Sequence, residues 1–352
     1  MRPAQIVDLF AGPGGLDVAA EKLGIPSIGL EWDSSACTTR RAAGLNTIEG
    51  DVRDYSPSDF PEADVLAGGP PCQTFTVAGN GAGRRALDDV LIFLKRMVAR
   101  EDMSEIKRDL AKMDDERTGL ILEPLRWALE AIDKEKSPYR AIVLEQVPAV
   151  LPVWESYADA LQGEGYSTSF GILRTEEYGI PQTRKRAVFI ARLGNDPVSL
   201  PTPTHRTYRK GVPREHGDNN LVPWLCINDV LDRGSSFFVI SNYGTGGDPK
   251  ARGRRSSSEP SATVTGKISR NRIVAEDGTE MARLTPSEAG RLQTFPVDYP
   301  WSGRDISQQI GNAVPPRLGM HVFSAAFGWQ SPSTETLDSL VSWNQERFSQ
   351  QS

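Results

Sequence analysis

Cys72 stands directly behind two prolines, in the run Gly68-Gly69-Pro70-Pro71-Cys72-Gln73-Thr74-Phe75. A lone thiol is ordinarily an inert buried group. Here two consecutive prolines remove two backbone donors and stiffen the loop, an arrangement that packing alone does not require. The loop follows the apolar run Ala63-Asp64-Val65-Leu66-Ala67, so the thiol sits at the carboxyl edge of a predicted strand. Glu145 closes a second such run, Ala141-Ile142-Val143-Leu144-Glu145. A thiolate nucleophile and a carboxyl able to give or take a proton can then converge on one substrate.

A second group of residues suits a nucleoside. Phe10-Ala11-Gly12-Pro13-Gly14-Gly15 follows the run Ile6-Val7-Asp8-Leu9-Phe10 and opens a helical stretch from Leu16 to Leu23. Glycines there let the backbone approach a ligand at a helix N-terminus. Glu31, ending the predicted strand Ser27-Ile28-Gly29-Leu30-Glu31, is placed to accept from a ribose diol. Trp32 offers a flat face to adenine, and Asp51, after Gly50, can take its amino group. NAD and S-adenosylmethionine both satisfy this set.

The elements that must position these groups alternate in type over roughly the first 190 residues: short β-branched runs, then helical patterns, with a further strand at Ala187-Val188-Phe189-Ile190-Ala191. This predicts an α/β fold with a doubly wound, mostly parallel sheet. Leu87, Val90, Leu91, Leu94, Met97 and Val98 keep helical spacing, and the charged stretch 100–117 continues it. A long exposed helical insertion, about residues 83–113 and outside the core, is expected there. From Asn195 to about Arg283 Pro, Gly, Ser and Arg dominate, which predicts a smaller loop-rich domain. The α/β pattern returns at Thr285, where Glu288 three residues on completes a capping box. The expected organisation is 1–192, 193–282, 283–330 and an uninformative polar tail, 331–352.

Composition narrows the function. With 38% hydrophobic and 24% charged residues the chain reads as globular, and it has no run of about 20 apolar residues that would span a bilayer. Three cysteines, Cys37, Cys72 and Cys226, without paired spacing support neither a disulfide framework nor a zinc cluster. A net charge of −6 argues against a general nucleic-acid coat protein. Between Asp248 and Arg272, however, seven basic residues face two acidic ones, a segment that could meet phosphates or remain a solvated loop.

Taken in order, these blocks resemble the DNA cytosine-5 methyltransferases of bacterial and phage type. The set is Asp8 to Gly15, Pro70-Pro71-Cys72-Gln73, Glu145-Gln146-Val147, Gln182-Thr183-Arg184-Lys185-Arg186, Arg283 to Glu288 with Arg291 to Pro296, and Gly311-Asn312-Ala313-Val314-Pro315-Pro316. The resemblance runs from residue 8 to 316, sparing the insertion and the loop-rich domain, which would be the target-recognition domain. It implies a Rossmann-like fold, S-adenosyl-L-methionine as cofactor with S-adenosyl-L-homocysteine as product, and no metal. Cys72, Glu145, Arg184 and Arg186 would be catalytic, the two arginines pointing to one face. Phe10, Gly12, Gly14, Gly15, Leu16, Glu31, Trp32, Asp51, Val52, Pro71, Leu120, Asn312 and Val314 would bind the cofactor. Gln73, Arg252, Arg254, Arg255, Thr263, Thr265, Lys267, Arg270 and Arg272 are candidates for DNA contact.

The implied partner is double-stranded DNA, with the target base extruded, and a cognate restriction endonuclease is a candidate partner. A cytoplasmic, nucleoid-associated monomer without membrane contact is expected. Three departures stand out. Gln146 replaces the family's usual Asn, from which weaker loop anchoring is expected; Phe75-Thr76 replaces Phe-Ser; and the family block resembled by Asp115 to Leu120 lies unusually far from Cys72. An RNA cytosine-5 methyltransferase would carry Cys-Phe-Thr, which is absent, and an NAD-dependent oxidoreductase leaves Pro70-Pro71-Cys72 unexplained. A catalytically dead DNA-binding regulator would have lost Cys72 or Glu145.

Overall fold

The alternating runs build one seven-stranded sheet. Its strands are β1 (Ile6–Leu9), β2 (Ser27–Glu31), β3 (Thr47–Glu49), β4 (Val65–Gly68), β5 (Ala141–Gln146), β6 (Tyr166–Arg174) and β8 (Lys185–Leu193), with the two-residue β7 (Gln182–Thr183) outside it. The structure, a computed structural model, describes residues 4–71, 82–112, 116–241 and 253–343. Cys72, Gln73, Phe75, Thr76, Asp115 and Arg252 lie outside the described residues.

Spatial order across the sheet is β3-β2-β1-β4-β5-β8-β6, and the pairs from β3 to β5 are parallel. Strand order therefore reverses between β1 and β4, where such a sheet opens a crevice at its carboxyl edge. Leu9 is registered against Gly68, and Gly68 against Leu144. The glycine turn, the double-proline loop and Glu145 consequently leave the sheet side by side.

The strand read at 187–191 is longer and antiparallel, pairing with β5 on one side and β6 on the other. Only a short 3-10 turn, Thr175–Tyr178, and β7 separate β6 from β8, too little chain for the crossover that a parallel return needs.

Both faces are covered. One buried cluster joins Val7, Leu9, Leu66, Ile142 and Leu144 to α3 (Ala82–Val98), α4 (Met103–Leu110), α5 (Glu123–Asp133) and α6 (Leu151–Gly163) through Leu94, Ile106, Trp127 and Trp154. The other joins Ile6, Val65 and Val143 to α1 (Gly15–Lys22) and α10 (Pro316–Phe327). Burying one such aliphatic side chain contributes about 1.5–3 kcal/mol.

The expectation of an exposed, non-core insertion is corrected here. Val90, Leu94, Met97 and Ile106 are buried in the first cluster, so the apolar stripe of the insertion is a core face. Nor is the insertion one helix: Asp102 caps α4 through the Ser104 N–H at 2.7 Å, and Arg96 pairs with Asp109 at 3.0 Å to close the α3–α4 corner. The charges that made the stretch look solvated form its outer face. The tail also packs, since Leu337, Leu340 and Trp343 are buried in the second cluster.

The loop-rich region folds around an antiparallel sheet of order β10-β9-β12-β13, from β9 (Phe237–Ile240), β10 (Arg254–Ser256), β12 (Arg272–Ala275) and β13 (Glu280–Met281). The pair β11 (Ser261–Ala262) runs parallel to β7. Its small core takes Ile227 from α7 (Ile227–Val230), with Phe237, Val264 and Ile273. It is completed by Leu292 of α8 (Pro286–Leu292) and Ile310 of α9 (Ile306–Asn312). The capping box read at Thr285 and Glu288 is present at the start of α8.

Candidate active site

The glycine turn is shaped by backbone that few residues adopt. Phe10, Gly12 and Gly14 have φ of 59°, 55° and 102°, the left-handed region favoured by glycine. A Cβ on Gly15 would stand 2.1 Å from the Val314 carbonyl oxygen, so the returning segment 311–316 seals the back of the turn. A Cβ on Gly12 would meet nothing within 4 Å. Gly12 thus faces open space, as a backbone that receives a ligand must, and the residues present fit a nucleoside cofactor there.

Glu31 frames that space. Its carboxylate accepts from the Gly12 N–H at 2.7 Å and the Asp33 N–H at 2.8 Å, which leaves lone pairs on both oxygens for a diol. Burial pushes this carboxyl above its ordinary pKa, against the pull of the two N–H bonds. Trp32 is 69% exposed, with its ring available. Asp51 is turned onto Arg53, paired at 2.6 Å, and caps the 3-10 turn Val52–Asp54. Burial raises its carboxyl, but the Arg53 bonds win and hold it low, so any adenine contact there is shared with Arg53. Val52 and Val314 are buried, and Leu16 is buried at the start of α1. Leu120 and Pro71 are half-buried, and Asn312 is exposed, accepting from Gln308 at 2.8 Å.

Beneath the turn lies a charged network that sequence reading missed. Arg40 and Asp17 pair at 2.5 Å with both side chains fully buried. Arg40 also donates to the Asn46 carbonyl at 3.1 Å and fills the volume that a Cβ on Gly29 would need. Burial opposes the Arg40 charge, but Asp17 overrides it and holds its pKa above the ordinary value. Asp8, beside this pair, has its pKa pushed well up by burial and then by the Asp17 charge. The available signal was Asp8 itself, a charge inside an apolar strand.

Arg126 is a second missed support. It donates to the carbonyls of Val52 and Tyr55 at 3.0 and 2.9 Å while paired with Glu123 at 2.7 Å, tying α5 to the loop that carries Asp51.

At the reacting edge Arg186 pairs with Glu145 at 2.7 Å, with little of either side chain exposed. Gln146 donates to the Pro70 carbonyl and accepts from the Val147 N–H. The longer amide therefore reaches the double-proline loop.

Arg184 departs from its expected role. It is fully buried and donates to the carbonyls of Val264 and Gly311 at 3.0 Å each and of Ala313 at 3.3 Å. It lies between β7 and β8, at the step where the chain passes from one sheet to the other, so the two-residue spacing does not bring it to the face of Arg186.

The DNA-contact candidates now sort by exposure. Arg254 is exposed and lies over the Phe238 ring, 3.6 Å from its centroid, while Lys267 and Arg270 are exposed. Arg255 is held by the Tyr208 hydroxyl at 2.9 Å and Thr183 at 3.3 Å, and Arg272 pairs with Glu280 at 3.2 Å. Thr263 donates to the Thr183 carbonyl at 3.0 Å and Thr265 accepts from the Lys267 N–H at 3.3 Å. Arg255 and Thr263 therefore serve as joints between the two parts of the molecule.

Comparison with known proteins sets this geometry in context. A family described as C-5 cytosine-specific DNA methylase matches residues 4–96, 101–220 and 203–327. Type II methyltransferase M.PspPI of Psychrobacter sp. is 30% identical over 92% of this chain and 79% of its own length. Type II methyltransferase M1.HphI of Haemophilus parahaemolyticus is 26% identical over 91% and 85%. Among solved structures, the S. pombe Dnmt2 methyltransferase shares the fold with a TM-score of 0.60 at 16% identity, covering 92% of this chain and 98% of that one. The Entamoeba histolytica methyltransferase EhMeth likewise has a TM-score of 0.60 at 15% identity, over 93% and 99%.

Proposed function

Because the chain belongs to the C-5 cytosine-specific DNA methylases and is a DNA cytosine-5-methyltransferase, we propose that it works by covalent addition to an extruded cytosine. Cys72 and Glu145 are the chemical pair. The observation that carries this reading is the placement of Glu145, paired with Arg186, beside the loop Gly69-Pro70-Pro71 that leads into Cys72.

Cytosine C5 is a weak nucleophile, so the ring must first be activated. The Cys72 thiolate adds to C6, forming a C–S bond as the C5–C6 π pair shifts to C4–C5 and the C4–N3 π pair moves onto N3. Glu145 gives a proton to N3 and neutralises the charge that develops there. Arg186 holds one Glu145 oxygen and fixes the direction of the other. Phe10 to Gly15 with Glu31 and Trp32 would hold S-adenosyl-L-methionine, which would supply an electrophilic methyl group for C5 and give S-adenosyl-L-homocysteine as product. A base then removes the C5 proton, the C–S bond breaks to release Cys72 as a thiolate, and N3 returns its proton to Glu145.

A stacked base cannot meet a protein thiol, so the cytosine must leave the duplex, at a few kcal/mol that contacts elsewhere must offset. Arg254 on β10, with Lys267 and Arg270 at the 3-10 turn Ile268–Arg270, are the exposed residues we assign to DNA contact, and 193–282 is the unit we assign to target recognition. The Type II relatives support a cognate restriction endonuclease as partner. Among the described residues no helix is long and apolar enough to cross a membrane.

Incubation with labelled S-adenosylmethionine and duplex DNA, followed by bisulfite sequencing, tests the assignment and reads the target site together. Methylation confined to one cytosine within a fixed sequence is expected. Folded protein that binds the cofactor yet leaves no 5-methylcytosine on any duplex would remove it.

A further inference from the structure

Three buried polar side chains hold the segment around Val264 and the helices α8 and α9 against the strip that runs from β7 into β8. Gln182 accepts from the Val264 N–H at 2.7 Å and donates to Gln293 at 2.8 Å and to the Leu292 carbonyl at 3.2 Å. Gln293 donates in turn to the Ile310 carbonyl at 2.8 Å. Arg184 takes the carbonyl of the same Val264 together with that of Gly311. Both backbone groups of Val264 are thus held by side chains of the strip 182–186. Gln182 and Gln293 have no exposed surface.

Contact at this seam is backbone against backbone: a Cβ on Gly311 would lie 2.2 Å from the Gly266 nitrogen and 2.3 Å from the Thr265 carbonyl carbon. The seam therefore has little freedom to slide. Its other end is the reacting edge, since Arg186, two residues beyond Arg184, pairs with Glu145. One pentapeptide, Gln182 to Arg186, holds the segment 261–267 by its first half and the acid by its last residue.

We propose that Gln182 and Gln293 are specificity-positioning residues, which set the register between the DNA-reading unit and Glu145 and so make methylation depend on the correct target sequence. The inference rests on the reading of 193–282 as the recognition unit. Neither glutamine needs to touch DNA. A base pair read wrongly displaces the recognition segment, and a stiff seam carries that displacement to the Glu145–Arg186 pair. A loosened seam would absorb it, and near-cognate sites would be methylated.

Replacing both glutamines by Met keeps their shape and removes both partners of the Gln182–Gln293 bond, but it takes these partners from the Val264 N–H and the Leu292 and Ile310 carbonyls, and each group left unpaired lowers stability. The rates of wild-type and Gln182→Met/Gln293→Met protein are compared on a duplex with the cognate site, identified by bisulfite sequencing, and on duplexes with single mismatched positions. Cofactor affinity and Tm are measured alongside. The ratio of kcat/KM between cognate and near-cognate duplexes should fall at least tenfold, with cofactor affinity within about twofold of wild type. An unchanged ratio in a variant that binds cofactor normally overturns the proposal.

Wild-type protein supplies a second test that needs no variant to fold. The Val264 amide should resist hydrogen exchange far longer than those of the exposed Lys267 and Arg270, and comparably fast exchange overturns it. A wild-type enzyme with no sequence preference would instead defeat the recognition reading, and the inference with it. Selective wild-type enzyme with an equally selective variant defeats the inference alone.

Discussion

Arg186 Nε lies 2.7 Å from a carboxylate oxygen of Glu145, between neighbouring antiparallel strands of the central sheet. This pair stands on rigid backbone, so the acid is oriented before any substrate arrives. Glu145→Gln should lose about 10²–10⁴-fold in rate, because an amide cannot deliver the proton. DNA binding should be retained, as read by gel shift. Arg186→Ala should lower kcat with KM for the cofactor unchanged. A variant of either kind with near-wild-type turnover contradicts the assignment.

Two glycines of the cofactor turn should respond differently to the same change. Gly15→Ala forces a methyl against the Val314 carbonyl oxygen, 2.1 Å away, so Tm and cofactor affinity should fall together. Gly12→Ala meets no protein atom within 4 Å. Its stability loss should be limited to that of a strained φ, about 1 kcal/mol, while calorimetry finds cofactor affinity sharply reduced. Equal affinity in Gly12→Ala would place the cofactor elsewhere.

Arg40 and Asp17 form a fully buried pair, and removing one partner leaves the other charge stranded. Asp17→Asn or Arg40→Met should cost about 3–5 kcal/mol of stability by chemical denaturation. A loss below about 1 kcal/mol would show that the network beneath the glycine turn is dispensable.

Burial pushes the Glu176 carboxyl up to about 7. An acid whose folded pKa exceeds its unfolded value of about 4.3 is destabilising once ionised. The penalty is absent below about pH 4, grows as pH rises toward 7 and is complete above it. Glu176→Gln removes the ionisation, so it should stabilise the protein by on the order of 1–3 kcal/mol at pH 8 relative to its effect at pH 4.5. Thermal scans at the two values check this, and an effect independent of pH would contradict it.

The insertion offers a stability test. Ile106, on α4, is fully buried, so Ile106→Ala should cost about 2–5 kcal/mol. Deleting residues 83–113 should expose the core around Trp127 and Trp154 and impair folding before DNA affinity can be compared. Wild-type thermal stability in Ile106→Ala would restore the picture of a solvated appendage.

Much of this was legible in the chain. Strand β2 was readable at its full extent, and Glu31 and the glycine turn follow from apolar runs ending in residues with special chemistry. The antiparallel β6 and β8 were harder. Tyr166 to Arg174 is an edge strand rich in Ser, Thr and Gly, whose apolar signal is weak, and direction depends on connection length. Arg184 could not be placed from spacing, because the chain changes sheets at that residue and breaks the alternation. The insertion was misread because its charged outer face outnumbers a narrow apolar stripe. The charges at Asp17 and Arg40 satisfy one another only in three dimensions.

The central claim is a bond between the Cys72 sulfur and C6 of cytosine. Fluorine at C5 cannot leave as a proton does, so a duplex carrying 5-fluorocytosine at the target site should trap the adduct when S-adenosylmethionine is supplied. Denaturing mass spectrometry should find one oligonucleotide joined to the peptide containing Cys72, and none with Cys72→Ser. Methylation of the unmodified duplex without any such adduct, or an adduct that survives in Cys72→Ser, would contradict the account.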